Sequence, residues 1–139
     1  MATDPSARPP VQGLWHLALR VRNLEVMRAF YVDLLGYEVE WAPDPQNLYL
    51  SSGRDNLALH EDPTAPGPGE ERGVLDHLGL VLPRPDDVDA WAEVLMAAGY
   101  ELEKPVRTHR DGARSFYVRD PEGNLIQFLW HPPLAPEGF

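Results

Sequence analysis

Three stretches of this chain occur twice in the same order. His16, Gly36-Tyr37-Glu38 and Leu48-Tyr49-Leu50 have counterparts in His77, Gly99-Tyr100-Glu101 and Phe116-Tyr117-Val118, at offsets of 61, 63 and 68. Offsets that grow so slowly require helix and strand periods to recur in one order, which marks an internal duplication. A chain of 139 residues with 43% hydrophobic residues can fill one sizeable core but cannot hold two large domains. The duplication therefore predicts two small copies of one unit sharing a single domain.

Each copy reads as strand, helix and three strands. Leu14 to Val21 alternates, with Trp15, Leu17, Leu19 and Val21 on one face and Leu14, His16, Ala18 and Arg20 on the other. Asn23 suits the cap of a helix whose stripe is Met27, Phe30, Tyr31, Leu34 and Leu35, and Gly36 suits its end. Strands are expected over residues 37–41, 48–51 and 56–60. The second copy predicts a strand over 75–82 and a helix striped by Val88, Trp91, Ala92 and Leu95 and ended by Gly99. Strands over 100–104, 115–119 and 124–130 follow, the last two joined by the turn Asp120-Pro121-Glu122-Gly123. We thus expect an α+β fold of two βαβββ modules, 13–60 and 74–131, forming a curved mixed sheet around a central cavity. The Pro- and Gly-rich residues 61–73 read as a connector, and 1–12 and 132–139 as loose tails.

Composition narrows the chemistry. With 22 acidic and 12 basic residues the formal charge is −10, which repels nucleic acid and anionic membrane surfaces. No apolar run reaches the roughly 20 residues of a membrane span and no signal-peptide pattern opens the sequence, so the expected location is cytoplasmic. The chain has no cysteine, which leaves His, carboxylates and amides as possible metal ligands.

With the apolar faces turned to the helices, the opposite faces line a concavity. His16 and His77 then point inward, as does Gln127 on the closing strand, while Ala58 takes the equivalent place in the first copy and shares its face with His60. Two neutral imidazoles and an amide oxygen suit a divalent ion such as Zn, Ni, Fe or Mn. His60 is a candidate proton acceptor, the bland alternative being a histidine that merely ends a strand. Ser115 and Tyr117 share one face, Tyr49 is the repeat-equivalent aromatic, and Trp41 is a candidate wall. Arg107, Arg110 and Arg114, with His109 among them, surround the loop before the 115–119 strand and suit an anionic substrate; the plainer reading is a solvated basic loop.

The strings HLALRV, FYVDLLGYEVE, LDHLGLVL and SFYVRDPEGNLIQF resemble the vicinal oxygen chelate superfamily, which contains glyoxalase I, extradiol dioxygenases, and fosfomycin- and bleomycin-resistance proteins. The resemblance spans about residues 13–131. It implies metal ligands on the first strand of each half and on the closing strands, hence one divalent ion per site held by His16, His77 and Gln127. Gln127 stands where most members have Glu, which disfavours a two-His-one-carboxylate iron site and ring-cleaving chemistry, and favours a glyoxalase-like lyase or isomerase. The fourth ligand position falls on Ala58, leaving water or His60 to fill it. The resemblance also implies a small oxygen-chelating substrate and a homodimer. Its alternative is a metal-free, bleomycin-resistance-type protein that sequesters a cationic drug, which the net charge suits.

Overall fold

The computed structural model describes residues 4–134. These fall into two compact units that divide between Pro63 and Thr64. In the first, strand β1 (His16–Val21) leads into helix α1 (Leu24–Arg28), and β2 (Glu38–Asp44), β3 (Asn47–Ser51) and β4 (Asn56–Glu61) follow. The sheet order is β1-β4-β3-β2, with β1 parallel to β4 and the other pairs antiparallel. In the second, β5 (Leu78–Val81), helix α2 (Pro85–Ala97), β6 (Leu102–Thr108), β7 (Arg114–Arg119) and β8 (Leu125–Trp130) repeat the pattern in the order β5-β8-β7-β6. The expected α+β architecture of two βαβββ modules is therefore present.

The helices form as their sequences dictate. Asn23 caps α1, its Oδ1 accepting the Val26 N–H at 3.2 Å, a contact typically worth about 1 kcal/mol. Beyond Arg28 the helix widens into a π-helical turn over Ala29–Leu34, closed by the Leu35 N–H on the Phe30 carbonyl at 3.0 Å. The neighbours Phe30 and Tyr31 are both buried there and meet edge to face at 4.9 Å. Gly36 then turns the chain with φ 87°, a conformation that would strain a side-chain-bearing residue. In α2, Pro85 occupies the first turn and the Asp87 carboxylate accepts the Arg84 N–H at 3.1 Å. Val88, Ala92 and Leu95 are buried on its inner face.

Two strands run longer than their sequence predicts, for one reason. β2 continues through Pro43 to Asp44, and β6 through Pro105 to Thr108. Both lie at a sheet edge, where a residue without an N–H removes no ladder bond. Each carries register shifts at matching places, between Val39 and Trp41 and between Trp41 and Asp44 in β2, and between Leu102 and Lys104 and between Lys104 and Arg107 in β6. The duplication thus extends to irregularities that periodicity does not show.

The stretch between the modules is held rather than slack. Arg72 Nε donates to Asn124 Oδ1 at 3.0 Å, and its Nη1 donates to the carbonyls of Pro66, at 2.9 Å, and Glu122. Ala65 is fully buried. At the N-terminal end Pro5–Ala7 form one 3-10 turn, as do Pro132–Leu134 after β8. The expected tail beyond Leu134 lies outside the described residues.

Candidate functional site

β1 alternates as expected. Leu19 and Val21 are buried, while His16, Ala18 and Arg20 face away. Cross-strand pairing places His16 beside Asn56, Ala18 beside Ala58 and Arg20 beside His60. Tyr49 lies next to Ala58 on the other side, and Trp41 next to Tyr49. One face of the first sheet thus carries His16, Asn56, Tyr49, Trp41 and His60. The Trp41 and Tyr49 rings are 5.1 Å apart, and Tyr49 meets the His60 ring edge-on at 5.7 Å.

Both histidines on this face are oriented by the same three-part device. His16 Nδ1 lies 2.7 Å from Asn56 Oδ1, and Asn56 Nδ2 donates to Glu40 at 2.7 Å. His60 Nδ1 lies 2.6 Å from Asn47 Oδ1, and Asn47 Nδ2 donates to Asp44 at 2.9 and 3.0 Å. A carboxylate can only accept, so each amide must turn its NH2 toward the acid and its oxygen toward the imidazole. Each Nδ1 then donates its N–H to the amide oxygen, which fixes the ring with Nε2 pointing away from that partner. Hydrogen bonds from Asn47 and the Gln46 N–H also hold the Asp44 carboxyl below the usual carboxylate range. Glu40 sits at the β2 irregularity, where a bulge re-aims a side chain.

In the second module Gly79 pairs with Gln127, and Gln127 with Tyr117. His77, just before β5, meets the Tyr117 ring edge-on at 5.4 Å, so His77, Gln127 and Tyr117 share one face. His77 Nδ1 lies 2.5 Å from the Asp76 carboxylate, which fixes the ring through that nitrogen. Lys104 Nζ lies 5.2 Å from the other side of the Tyr117 ring. Ser115 is buried, its Oγ 2.8 Å from His109 Nε2.

Arg114 departs from expectation. It points to the helix side of the sheet, where Nε and Nη2 donate to Asp89 of α2 at 2.9 and 2.7 Å and Nη1 donates to Thr108. The parity of β7 is the reason, since Arg114 alternates with Ser115 and Tyr117 and must face the other way. The guanidinium in turn holds the Asp89 carboxyl below its ordinary range. Arg114 is thus tied to α2 and to Thr108.

Sequence reasoning missed the orienting partners Asn56, Glu40, Asn47, Asp44 and Asp76. An amide or acid beside a strand histidine was the available signal, but the partners lie on other strands and meet only through register. It also missed His131, which lines a cavity in the second module with Arg107, His109, Arg110, Asp111, Ala113, Gln127 and Leu129.

The donor chemistry of these side chains fits a divalent ion. His16 and His77 are each held through Nδ1 by a side-chain oxygen, as metal-bound histidines usually are, and Gln127 offers a neutral oxygen. Among the described residues no three His, Cys, Asp or Glu side chains form a metal-binding group. If Asn56 orients a ligand, Asn56→Leu should lower the affinity for a divalent ion by about 10–100-fold with the fold intact. A competition titration against a chromophoric chelator measures this, and an unchanged affinity would free Asn56 of the role.

A duplicated βαβββ chain with an oriented histidine on the first strand of one module and just before it in the other defines a class of α+β protein by its fold. The family model of the Glyoxalase/Bleomycin resistance protein/Dioxygenase superfamily matches residues 13–128, and the chain belongs to that family. It is 32% identical over 132 residues to a metapyrocatechase of Geobacillus stearothermophilus, covering 90% of this chain and 40% of the relative. It is 31% identical over 127 residues to a manganese-dependent 2,3-dihydroxybiphenyl 1,2-dioxygenase of Geobacillus genomosp. 3, covering 88% and 38%. The chain thus spans about two fifths of the length of these relatives. A lactoylglutathione lyase structure from Agrobacterium tumefaciens shares the fold, with TM-score 0.71, 23% identity, and 87% and 95% of the two chains covered. Among the described residues no helix is long and apolar enough to cross a membrane.

Proposed function

We propose that this protein is a divalent-metal-dependent enzyme acting on a small molecule that chelates through adjacent oxygens. In this reading His16, His77 and Gln127 are the ligands. The observation that supports it is the hydrogen bonding of the two histidines, each held through Nδ1 by a side-chain oxygen. Solvent-exposed strand histidines do not need such partners, whereas ligands do. A bound ion would act as a Lewis acid toward the substrate oxygens.

The chain's own residues supply the rest. Gln127 adds no negative charge, so the donor set is two imidazoles and a neutral oxygen, which favours lyase or isomerase chemistry over ring cleavage. His60, held through Nδ1 by Asn47 and with its ring against Tyr49, is the proton acceptor. Trp41, Tyr49 and Tyr117 provide apolar surface beside these groups, and Ser115 holds His109. A homodimer, checked by analytical ultracentrifugation, belongs to the same proposal.

Ring cleavage is the second reading, favoured by the dioxygenase names of the relatives and by the manganese in one of them. Protein loaded in turn with manganese, iron, nickel and zinc should be assayed with a methylglyoxal–thiol adduct and, under oxygen, with catechols. Turnover of the adduct supports the first reading and oxygen uptake with catechols the second. Failure to retain any of these ions would defeat both, in favour of a metal-free binding protein.

A further inference from the structure

One region of this acidic chain is built the opposite way from the rest. The second module holds a cavity of about 660 Å³ lined by Arg107, His109, Arg110, Asp111, Gln127 and His131, among others. Four other arginines, Arg20, Arg84, Arg114 and Arg119, are each paired with a carboxylate. Among the described residues Arg107 and Arg110 have no such partner. The one acid of the cavity, Asp111, accepts the Ala113 N–H at 3.0 Å, and two arginines against that one acid leave the lining an excess of positive charge.

The duplication makes the contrast sharper. Arg107 stands at the second register shift of β6, the place that Asp44 holds in β2. Asp44 is hydrogen-bonded to Asn47 and so orients His60, whereas Arg107 is left facing the cavity. Cross-strand pairing runs Arg107 to Ser115 to Leu129, one row away from the Tyr117–Gln127 pair. Arg107 is therefore on the same sheet face as Gln127, two strands away and about 12 Å from it by the usual strand and residue spacings, and both line the cavity. His109, fixed by the buried Ser115 hydroxyl at 2.8 Å, shapes the wall between them.

We infer that Arg107 and Arg110 form an oxyanion subsite, and that the substrate carries a carboxylate or phosphoryl group in addition to its chelating oxygens. This rests on reading the Gln127 face as the substrate face. Planar guanidinium groups bind both kinds of oxyanion through paired N–H donors, more strongly than neutral donors would. A plain catechol lacks the group, and a cationic drug would be repelled.

The test is NMR titration of isotopically labelled protein with inorganic phosphate and, separately, benzoate at low ionic strength. Saturable shifts centred on residues 107–113 are expected for at least one of them, the tighter one naming the preferred group. The double variant Arg107→Ala with Arg110→Ala should weaken that binding by about tenfold or more, as loss of charge-assisted donors does. Arg84→Ala, at the start of α2, should leave it unchanged, and the conservative Arg110→Lys should keep part of it. Absence of saturation with both anions, or equal affinity in the double variant, overturns the subsite. Repeating the titration on His77→Ala separates the two ideas. Anion binding that survives there stands whether or not the metal reading does, and an intact metal content in the arginine double variant stands whether or not the subsite does.

Discussion

Protein carrying His77→Ala should emerge from loading with manganese, iron, nickel or zinc with close to no bound ion, where the unaltered chain retains about one per site. The expectation follows from the proposed ligand role of His77, whose ring is fixed by the contact of Nδ1 with Asp76. Removing a ligand should cost more than the roughly 10–100-fold expected on removing an orienting partner, so the effect should exceed that of Asn56→Leu. His109→Ala, a change to a histidine tied to Ser115, should keep the full metal content. The complementary variant Gln127→Glu adds a negative charge at the proposed oxygen ligand and should tighten binding by about tenfold or more. Elemental analysis and chelator competition read all of these. Full metal content in His77→Ala would remove the histidine from the ligand set, and unaltered affinity in Gln127→Glu would remove the amide.

The largest effect on stability is expected from Phe128→Ala. Phe128 is 2% exposed and stacks on Phe116 at 4.9 Å with the rings 7° from parallel, while Trp91 of α2 closes over it at 6.0 Å. Truncating such a ring leaves a cavity that the sheet and helix cannot both close, and the loss should be about 3–5 kcal/mol. That is a large part of the roughly 5–15 kcal/mol by which native domains are stable. Gln127→Ala, one residue earlier on the same strand but on the opposite face, should cost less than about 1 kcal/mol. Urea denaturation followed by tryptophan fluorescence compares them. Equal losses for the two would mean that the alternation of β8 does not separate a core face from a site face.

That alternation is also what made so much of the molecule legible. Leu19 and Val21, Leu57 and Leu59, and Ile126 and Phe128 are buried in the structure, and a period of two announces each pair. Because a strand with one apolar face can turn only that face to the helix, His16 and Gln127 had to lie on the other. Asn23 and Gly36 bounded the first helical segment for equally local reasons. The parity of Arg114 within β7 points it at Asp89, opposite to Ser115 and Tyr117. The edge strands β2 and β6 run through Pro43 and Pro105, past the expected ends at 41 and 104, and only the sheet order shows that these strands have a free side.

What the residues alone determine here is everything that depends on short-range periodicity: two copies of one module, their α+β order, and which side chains share a face. Cross-strand register is different, because it brings together residues far apart in the chain whose spacing carries no period. Glu40 reaching Asn56, Asn47 reaching His60 and Arg107 entering the same face as Gln127 were decided there. A hydrogen bond depends on distance and angle in space, and those are set only when the strands have paired.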